Sequence, residues 1–226
     1  MAFELKNTVP WGRNLDEYKN MFSLTDSDLN KRIISFGDGP ASFNMEMTSQ
    51  GKSVVSIDPV YRFTADELNQ RIHETKDIVV EQMKNNLNNF VWTSIKNVQE
   101  LEQIRLSAMN NFLQDFEKGK ENGRYINHEL PNRADFKTNS FDLALSSHFL
   151  VLYSQLGLEF HIESVKEMLR VASEIRIFPL LNLDAKKSEV LDGLIEYFNS
   201  DYPVSIEMVD YEFQKNGNKM LRITEK

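Results

Sequence analysis

The stretch Ile33–Ala41 reads IISFGDGPA, a short β-branched and apolar run followed at once by a glycine turn. The run predicts a buried strand, and Gly37–Pro40 predicts a sharp turn, because glycine adopts backbone angles that a Cβ disfavours. A helix over 42–50 and a second β-branched strand over 54–57 follow. Strand, glycine turn, helix and strand is the order of a doubly wound, mostly parallel α/β sheet. This stretch therefore decides the fold class.

The same alternation resumes in the carboxyl-terminal half of the chain. Phe141–Leu145 and Glu174–Phe178 predict two more buried strands with a helix between them. Strand-like runs over 204–213 and 220–224 flank Asn216-Gly217. Asn-Gly between two such runs predicts a hairpin, so the last two strands are expected to be antiparallel to each other.

The segment 62–123 separates these halves and has helical rather than strand periodicity. A capping box at Thr64 and Glu67, and apolar residues spaced four apart, predict two or three helices. We interpret them as a helical insertion after the second strand that packs on the sheet or on itself. A lid over a substrate pocket and a homodimer surface are the alternatives. Because no repeat or linker interrupts the chain, 1–226 is predicted to be a single domain.

Composition narrows the function classes. The 226 residues include no cysteine, which excludes disulfides and zinc–thiolate sites and favours a cytoplasmic protein. A formal net charge of −8 argues against nucleic acid as a partner, since phosphate backbones are bound by clustered Lys and Arg. Met1–Lys6 lacks the pattern of a signal peptide, and no apolar run reaches the length of a membrane span. No membrane association is expected.

Three predicted strand ends carry residues suited to ligand binding. In open α/β sheets, ligands bind outside the carboxyl ends of the strands, near the point where the strand order reverses. The first end is the turn Gly37, Asp38, Gly39 and Pro40; the second is Asp58 with Pro59; the third is Ser146, Ser147 and His148. An acid after the second strand, about 20 residues beyond the first glycine, is placed to accept both hydroxyls of a ribose.

Other nucleotide sites fit the sequence less well. A dinucleotide fingerprint G-x-G-x-x-G needs a third glycine where Ser42 stands. Tyr211 and Lys215 have dehydrogenase-like spacing but lie across a predicted strand and turn, so they would not stack on a helix. A nicotinamide-dependent oxidoreductase is kept as a minor alternative. The histidines and acids show no metal-ligand spacing, and no metal is predicted.

Two of these stretches together resemble a known family. Ile33–Ala41 followed by Ser56–Pro59 resembles the first two motifs of class I S-adenosylmethionine (SAM)-dependent methyltransferases. Ser140–His148 is similar to a later signature, an acidic strand start that runs into a polar loop, and Glu167–Val171 matches too. The resemblance leaves out the helical insertion, and we assign the chain to a bacterial branch of the superfamily.

The resemblance implies a seven-stranded sheet with an antiparallel last strand, SAM as cofactor and S-adenosylhomocysteine (SAH) as product. It implies that the glycine turn faces the methionine part and that Asp58 and Pro59 face the ribose. It further implies adenine contacts from Asn132, Arg133 and Ala134, and a place near the sulfonium for Ser146, Ser147 and His148. Arg13, in a region that often folds over the cofactor in relatives, is the candidate for its carboxylate.

Two features of the chain depart from the family pattern. Ser35 stands where the family usually has an acid that helps hold the cofactor's amino group, and Asp38 is a possible substitute. The acid that often precedes the adenine loop has Glu129 as its nearest counterpart. These departures put the strength of cofactor binding in question.

The catalytic candidate is His148, since histidine titrates near neutrality and a base is needed when the acceptor must lose a proton. The alternative is a histidine beside the cofactor that transfers no proton. The sequence thus predicts a SAM-dependent methyltransferase acting on a small molecule. A non-catalytic SAM-binding regulatory or assembly protein with the same fold is the second hypothesis.

Overall fold

The computed structural model describes residues 10–226. The strands within them are β1 Ile33–Phe36, β2 Val54–Ile57, β3 Tyr125–Ile126, β4 Leu143–Ser147, β5 Glu174–Phe178, β6 Val204–Met208 and β7 Lys219–Thr224. The α-helices are α1 Leu15–Met21, α2 Phe43–Ser49, α3 Ala65–Asn85, α4 Val98–Glu121, α5 Leu158–Val171 and α6 Leu191–Phe198. The expectation about Met1–Lys6 lies outside the described residues.

These strands form one seven-stranded sheet in the order β3-β2-β1-β4-β5-β7-β6. Neighbours from β3 to β5 pair in parallel, whereas β7 runs antiparallel to both β5 and β6. The predicted fold class, with its antiparallel last strand, is confirmed. The strand order reverses between β1 and β4, so their carboxyl ends meet at the switch point where α/β sheets bind ligands.

The centre of the sheet is buried on both faces. Every residue of β1, β4 and β5 is buried, as expected for parallel strands covered by helices on each side. Burial of each large apolar side chain in them stabilises the fold by about 1.5–3 kcal/mol. The cavity at the strand ends is therefore built on fully buried strands.

The helices of the insertion lie between β2 and β3. Both begin at side-chain caps, and α3 begins at the predicted capping box of Thr64 and Glu67. Parallel strands need a crossover, and α4 supplies it by packing against α2 and β3. The helix α3 packs on α4 and is the element added to the frame.

The carboxyl-terminal hairpin forms with antiparallel β6 and β7, but its connection is longer than predicted. The strand β6 ends at Met208 rather than at Phe213, and the segment 209–218 leaves the sheet before the turn in which Gly217 N donates to Gln214 O. Phe213 O accepts a hydrogen bond from Val91 N at 2.7 Å, and its ring stacks on Phe90 at 5.0 Å between centroids. The two strands stay paired with each other, and only their connection packs against the insertion.

Two smaller differences concern strand ends. The strand β4 runs from Leu143 to Ser147 rather than from Phe141 to Leu145, so Ser146 and Ser147 belong to the strand itself. The strand β3 is only two residues long, too short to show a period in the sequence. Within residues 10–226, no helix combines the length and apolar character needed to cross a bilayer.

Candidate functional site

A cavity of about 930 Å³ opens at the carboxyl ends of β1, β2 and β4. This volume is near the upper end of the range of about 300–1,000 Å³ for small-molecule sites. Nine of the residues predicted from the sequence line it: Arg13, Gly37, Asp38, Gly39, Pro40, Asp58, Pro59, Ser147 and His148. Four predicted residues do not line it: Asn132, Arg133, Ala134 and Ser146.

The glycine turn forms the floor of the cavity. Gly37 and Gly39 have φ angles of 70° and 52°, in the left-handed region that favours glycine. A Cβ at Gly37 would lie 2.7 Å from the Phe149 ring, so a side chain there would displace that ring. Tyr61 fixes the far side of the turn by donating its hydroxyl to Gly39 O at 2.8 Å. The turn thus offers half-buried backbone without side chains at Gly37 and Gly39.

Asp58 ties the end of β2 to this turn. Its Oδ2 accepts from Gly39 N and its Oδ1 from Val60 N, each at 2.8 Å. A carboxylate has about four lone-pair sites, so each oxygen can still accept a further donor. Burial, together with the nearby Asp38 carboxylate, raises the pKa of Asp58 to about 6. The group is an oriented pair of acceptors at the edge of the cavity.

Asp38 is held beside the position that lacks the expected acid. Its carboxylate accepts hydrogen bonds from three hydroxyls: Tyr18 Oη, Ser35 Oγ and Ser56 Oγ. Burial raises the pKa of Asp38, although these donors oppose the rise. The negative charge absent from position 35 therefore lies next to it, carried by a residue three places later.

The loop expected to meet an adenine ring sits outside the cavity. Asn132 and Arg133 are exposed, and Ala134 N donates to Glu167 Oε1 at 2.8 Å, which ties the loop to α5. The cavity wall at this end consists instead of Ile57 and the residues 128–130 just before the loop. Glu129, noted in the sequence as the nearest acid, is among them.

His148 follows β4 in a strained backbone conformation. Its φ is 54°, uncommon for a residue other than glycine, and its amide donates to Phe178 O at 2.7 Å. Ser147 Oγ lies 2.9 Å from His148 Nδ1, and the imidazole meets the Phe178 ring edge-on at 5.4 Å. Burial and the positive charges of Arg13 and Arg105 hold the pKa of His148 well below its usual value.

Ser146 is buried beneath, where its Oγ accepts from Leu150 N at 3.4 Å.

Arg105 was missed by the sequence analysis. It lies on α4 with a fully buried side chain and donates to a carboxylate oxygen of Glu17. Tyr211 Oη donates to the other oxygen of Glu17 at 2.9 Å and accepts from Arg105 at 3.3 Å. Its burial could have been predicted from its position in the apolar row of the helix, because it lies four residues after Leu101 and four before Met109.

Arg13 approaches the same end of the cavity from the amino-terminal side. Gly12 packs so closely that a Cβ there would lie 2.0 Å from Pro40 O, and Arg13 O accepts from Ser42 N at 3.0 Å. The guanidinium donates to Trp11 O at 3.2 Å, and within residues 10–226 its buried Nε has no hydrogen-bond partner. In the same part of the chain, no cluster of three or more His, Asp or Glu side chains could hold a metal ion.

Comparison with solved structures finds several methyltransferases at low similarity. Magnesium protoporphyrin IX methyltransferase from Synechocystis PCC 6803, crystallised with SAM, is 9% identical, with a TM-score of 0.45 over 89% of this chain and 73% of that one. A putative SAM-dependent methyltransferase from Methanococcus maripaludis is 12% identical, with a TM-score of 0.42 over 94% of this chain and 83% of that one. No protein-family model matches the chain.

A curated relative is much more similar in sequence. Uncharacterized protein MJ0045 of Methanocaldococcus jannaschii is 36% identical over 221 residues, which are 97% of each chain. Because that organism is an archaeon, the bacterial branch expected from the sequence finds no support in this relative. Identity of this extent along nearly the whole length shows common descent: the chain belongs to the same protein family as MJ0045 of Methanocaldococcus jannaschii.

Proposed function

We propose that the chain is a SAM-dependent methyltransferase with a small-molecule acceptor. The observation that carries the proposal is the contact between Asp58 and Gly39, which joins the acid after β2 to the glycine turn after β1 at 2.8 Å. This contact lies at the switch point of the sheet, on the edge of a large cavity. Backbone for close approach and a carboxylate for two hydroxyls are what an adenosyl ligand requires.

Different residues of the cavity suit different parts of SAM. Asp58 has acceptor capacity left for the ribose hydroxyls, and Arg13 has donors left for the methionine carboxylate. Asp38 places a carboxylate beside Ser35 for the amino group, with about one of its four acceptor positions not taken by its three hydroxyl donors. For the adenine we now favour the wall at 128–130 over the exposed Asn132 and Arg133. Bound SAM would supply an electrophilic methyl group, so the protein needs chiefly to orient the acceptor and exclude water.

The assignment is tested by calorimetric titration with SAM and SAH, with NAD as the control ligand. We expect binding of both adenosyl ligands and none of NAD. Asp58→Ala should weaken SAH binding by about 1–3 kcal/mol, because charged hydrogen bonds are lost. The exposed Asp201→Ala is the matched control and should leave the affinity unchanged. Equal affinity in Asp58→Ala and the wild type would remove the ribose assignment, and NAD binding would restore the oxidoreductase alternative.

A second candidate is a non-catalytic SAM-binding regulatory or assembly protein. The observation that favours it is that three hydroxyls already occupy Asp38, which leaves that carboxylate little capacity for the cofactor's amino group. This reading predicts SAH binding without methyl transfer to any member of an acceptor library. Transfer of label from methyl-labelled SAM to one library member would exclude it.

A further inference from the structure

The cavity at the strand ends continues between the helical insertion and the connection that follows β6. This part of its wall, which we call the apolar arm, consists of Trp11, Val79, Met83, Phe90 and Phe213. All five belong to one apolar cluster, which is separate from the clusters that cover the sheet. The rings of Phe90 and Phe213 stack at 5.0 Å between centroids, and Trp92 meets Phe213 edge-on at 5.3 Å.

The helix α3 changes in polarity along the cavity wall. The lining residues of its first half are Leu68 and four polar residues, Glu67, Gln70, Arg71 and Glu74. Those of its second half are Val79 and Met83. At a rise of about 1.5 Å per residue, Glu67 and Met83 lie about 24 Å apart along the helix. The polar and apolar parts of the wall are therefore well separated, and a ligand in one part need not occupy the other.

The three aromatic residues of the apolar arm leave part of their surface uncovered. Trp11, Phe90 and Phe213 are each only half-buried, although they pack in an apolar cluster. Apolar surface in contact with water is unfavourable in proportion to its area, and an apolar ligand would cover it. A polar ligand in the same place would lose hydrogen bonds to water that apolar side chains do not replace. The wall of the arm therefore selects for an apolar group.

Tyr211 connects the apolar arm to the strand ends. It lies two residues before Phe213, and its ring meets that of Phe178, the last residue of β5, at 5.8 Å. Phe178 in turn meets the imidazole of His148 at 5.4 Å. The Tyr211 hydroxyl is bonded to Glu17 at 2.9 Å, so polar groups begin where the arm reaches the strand ends. A molecule that places an apolar group in the arm would thus have its polar end near Tyr211 and β5.

We propose that the apolar arm binds the methyl acceptor, and that the acceptor carries an apolar ring that packs against Phe90 and Phe213. Its nucleophilic atom lies at the other end, toward Tyr211 and the strand ends. The proposal rests on the proposed function, because the arm serves an acceptor only if the rest of the cavity holds SAM. Most of the arm belongs to the insertion, so the insertion selects the acceptor.

The test compares two fluorinated six-membered rings, 4-fluorophenol and 4-deoxy-4-fluoro-D-glucose. Each is titrated against protein saturated with SAH and followed by the broadening of its ¹⁹F resonance. We expect the phenol, an apolar ring with a nucleophilic oxygen at one end, to bind at least about tenfold more tightly than the sugar. Equal or tighter binding of the sugar would overturn the proposal. So would no binding of the phenol, because the arm would then admit no ring.

Two variants locate the bound ring. Phe213→Asn should weaken 4-fluorophenol binding by about tenfold, since it removes one wall of the arm. Phe63→Asn is the matched control, because Phe63 lines the same cavity just before α3, outside the arm, and it should leave the affinity unchanged. Equal loss in the two variants would overturn the assignment of the arm.

The wild-type protein gives a second location that does not depend on a variant that folds. The chain has two tryptophans, Trp11 on the arm and Trp92 against Phe213, and so two indole N–H resonances, which Trp92→Phe assigns. We expect 4-fluorophenol to shift the Trp11 resonance, and a Trp11 resonance that stays in place at saturation would put the ring elsewhere and overturn the proposal.

The titrations also separate this proposal from the proposed function. Failure of SAH to bind would count against the proposed function, and the acceptor role of the arm would be lost with it. Binding of SAH without binding of 4-fluorophenol would leave the proposed function intact and overturn the assignment of the arm. A phenol that binds the free protein and is displaced by SAH occupies the cofactor position, which also overturns that assignment.

Discussion

The protonation state of the Asp58 carboxyl group should affect both ligand binding and the stability of the fold. Its pKa is raised from 3.8 to about 6 by burial. The folded state therefore binds this proton more tightly than the unfolded state, and the contribution of Asp58 to stability falls as pH rises between these values. Ligand hydroxyls donate to the ionised carboxylate, so the affinity for the ligand should increase as pH rises over the same range.

We accordingly expect SAH affinity to decrease as pH falls through about 6, where Asp58 becomes protonated. Calorimetry between pH 5 and pH 8, about the range in which this group titrates, measures the change. Asp58→Asn should bind weakly and with little pH dependence over the same range. A wild-type profile that stays flat through this range would show that Asp58 does not contact the ligand.

At the scale of elements, one buried ion pair connects three distant parts of the chain. Glu17 lies on α1, Arg105 on α4 and Tyr211 in the segment that follows β6. Burial opposes ionisation of Glu17, but the Arg105 charge outweighs it and lowers the pKa of Glu17. The network fixes the cavity wall, because each of its members is anchored on a different element.

Removing one partner of this pair should be strongly destabilising. Arg105→Met leaves Glu17 buried without its counter-charge, and we expect a loss of about 3–5 kcal/mol in the free energy of unfolding. The double variant Glu17→Gln/Arg105→Met should lose less than the sum of the single losses, by about 1–3 kcal/mol. Denaturant unfolding of the four proteins measures the coupling. Strict additivity would mean that the pair contributes no interaction energy.

At the scale of the whole molecule, the insertion packs against the edge of the sheet. Phe112 and Phe116 of α4 are fully buried. They pack against Tyr61, which follows β2, and Tyr125, which lies on β3. Deletion of 64–118 would remove these side chains and the crossover between two parallel strands. We expect the truncated chain to show no cooperative thermal transition. A cooperative transition near that of the wild type would show that the sheet folds without the insertion.

A homodimer formed through the insertion stays a prediction, as do a cytoplasmic location and a single domain. Ile78 and Leu87 are 55% and 46% exposed on this part of the surface. Sedimentation over a wide concentration range decides the oligomeric state directly. A mass that remains that of one chain at every concentration would exclude the dimer.

The sequence by itself determined the fold class and the two turns, after β1 and β2, that line the cavity. Local chemistry suffices for these, since β-branched runs, glycines and capping boxes act within a few residues of each other. The glycine at position 37 permits the left-handed angle found there, and the cap at Thr64 follows from its spacing to Glu67. The short strand β3 and the path of 209–218 did not follow, because each depends on what it packs against.

The tertiary structure alone decided which charged groups face the cavity. Asp38 became the acid beside Ser35 only because hydroxyls from α1 and β2 converge on it. Arg105 and Arg13, 92 positions apart, line one cavity only because the ion pair of Arg105 with Glu17 joins α4 to α1. Two charged groups interact according to their distance in space and not their separation in sequence. The interaction becomes strong only where folding has excluded water.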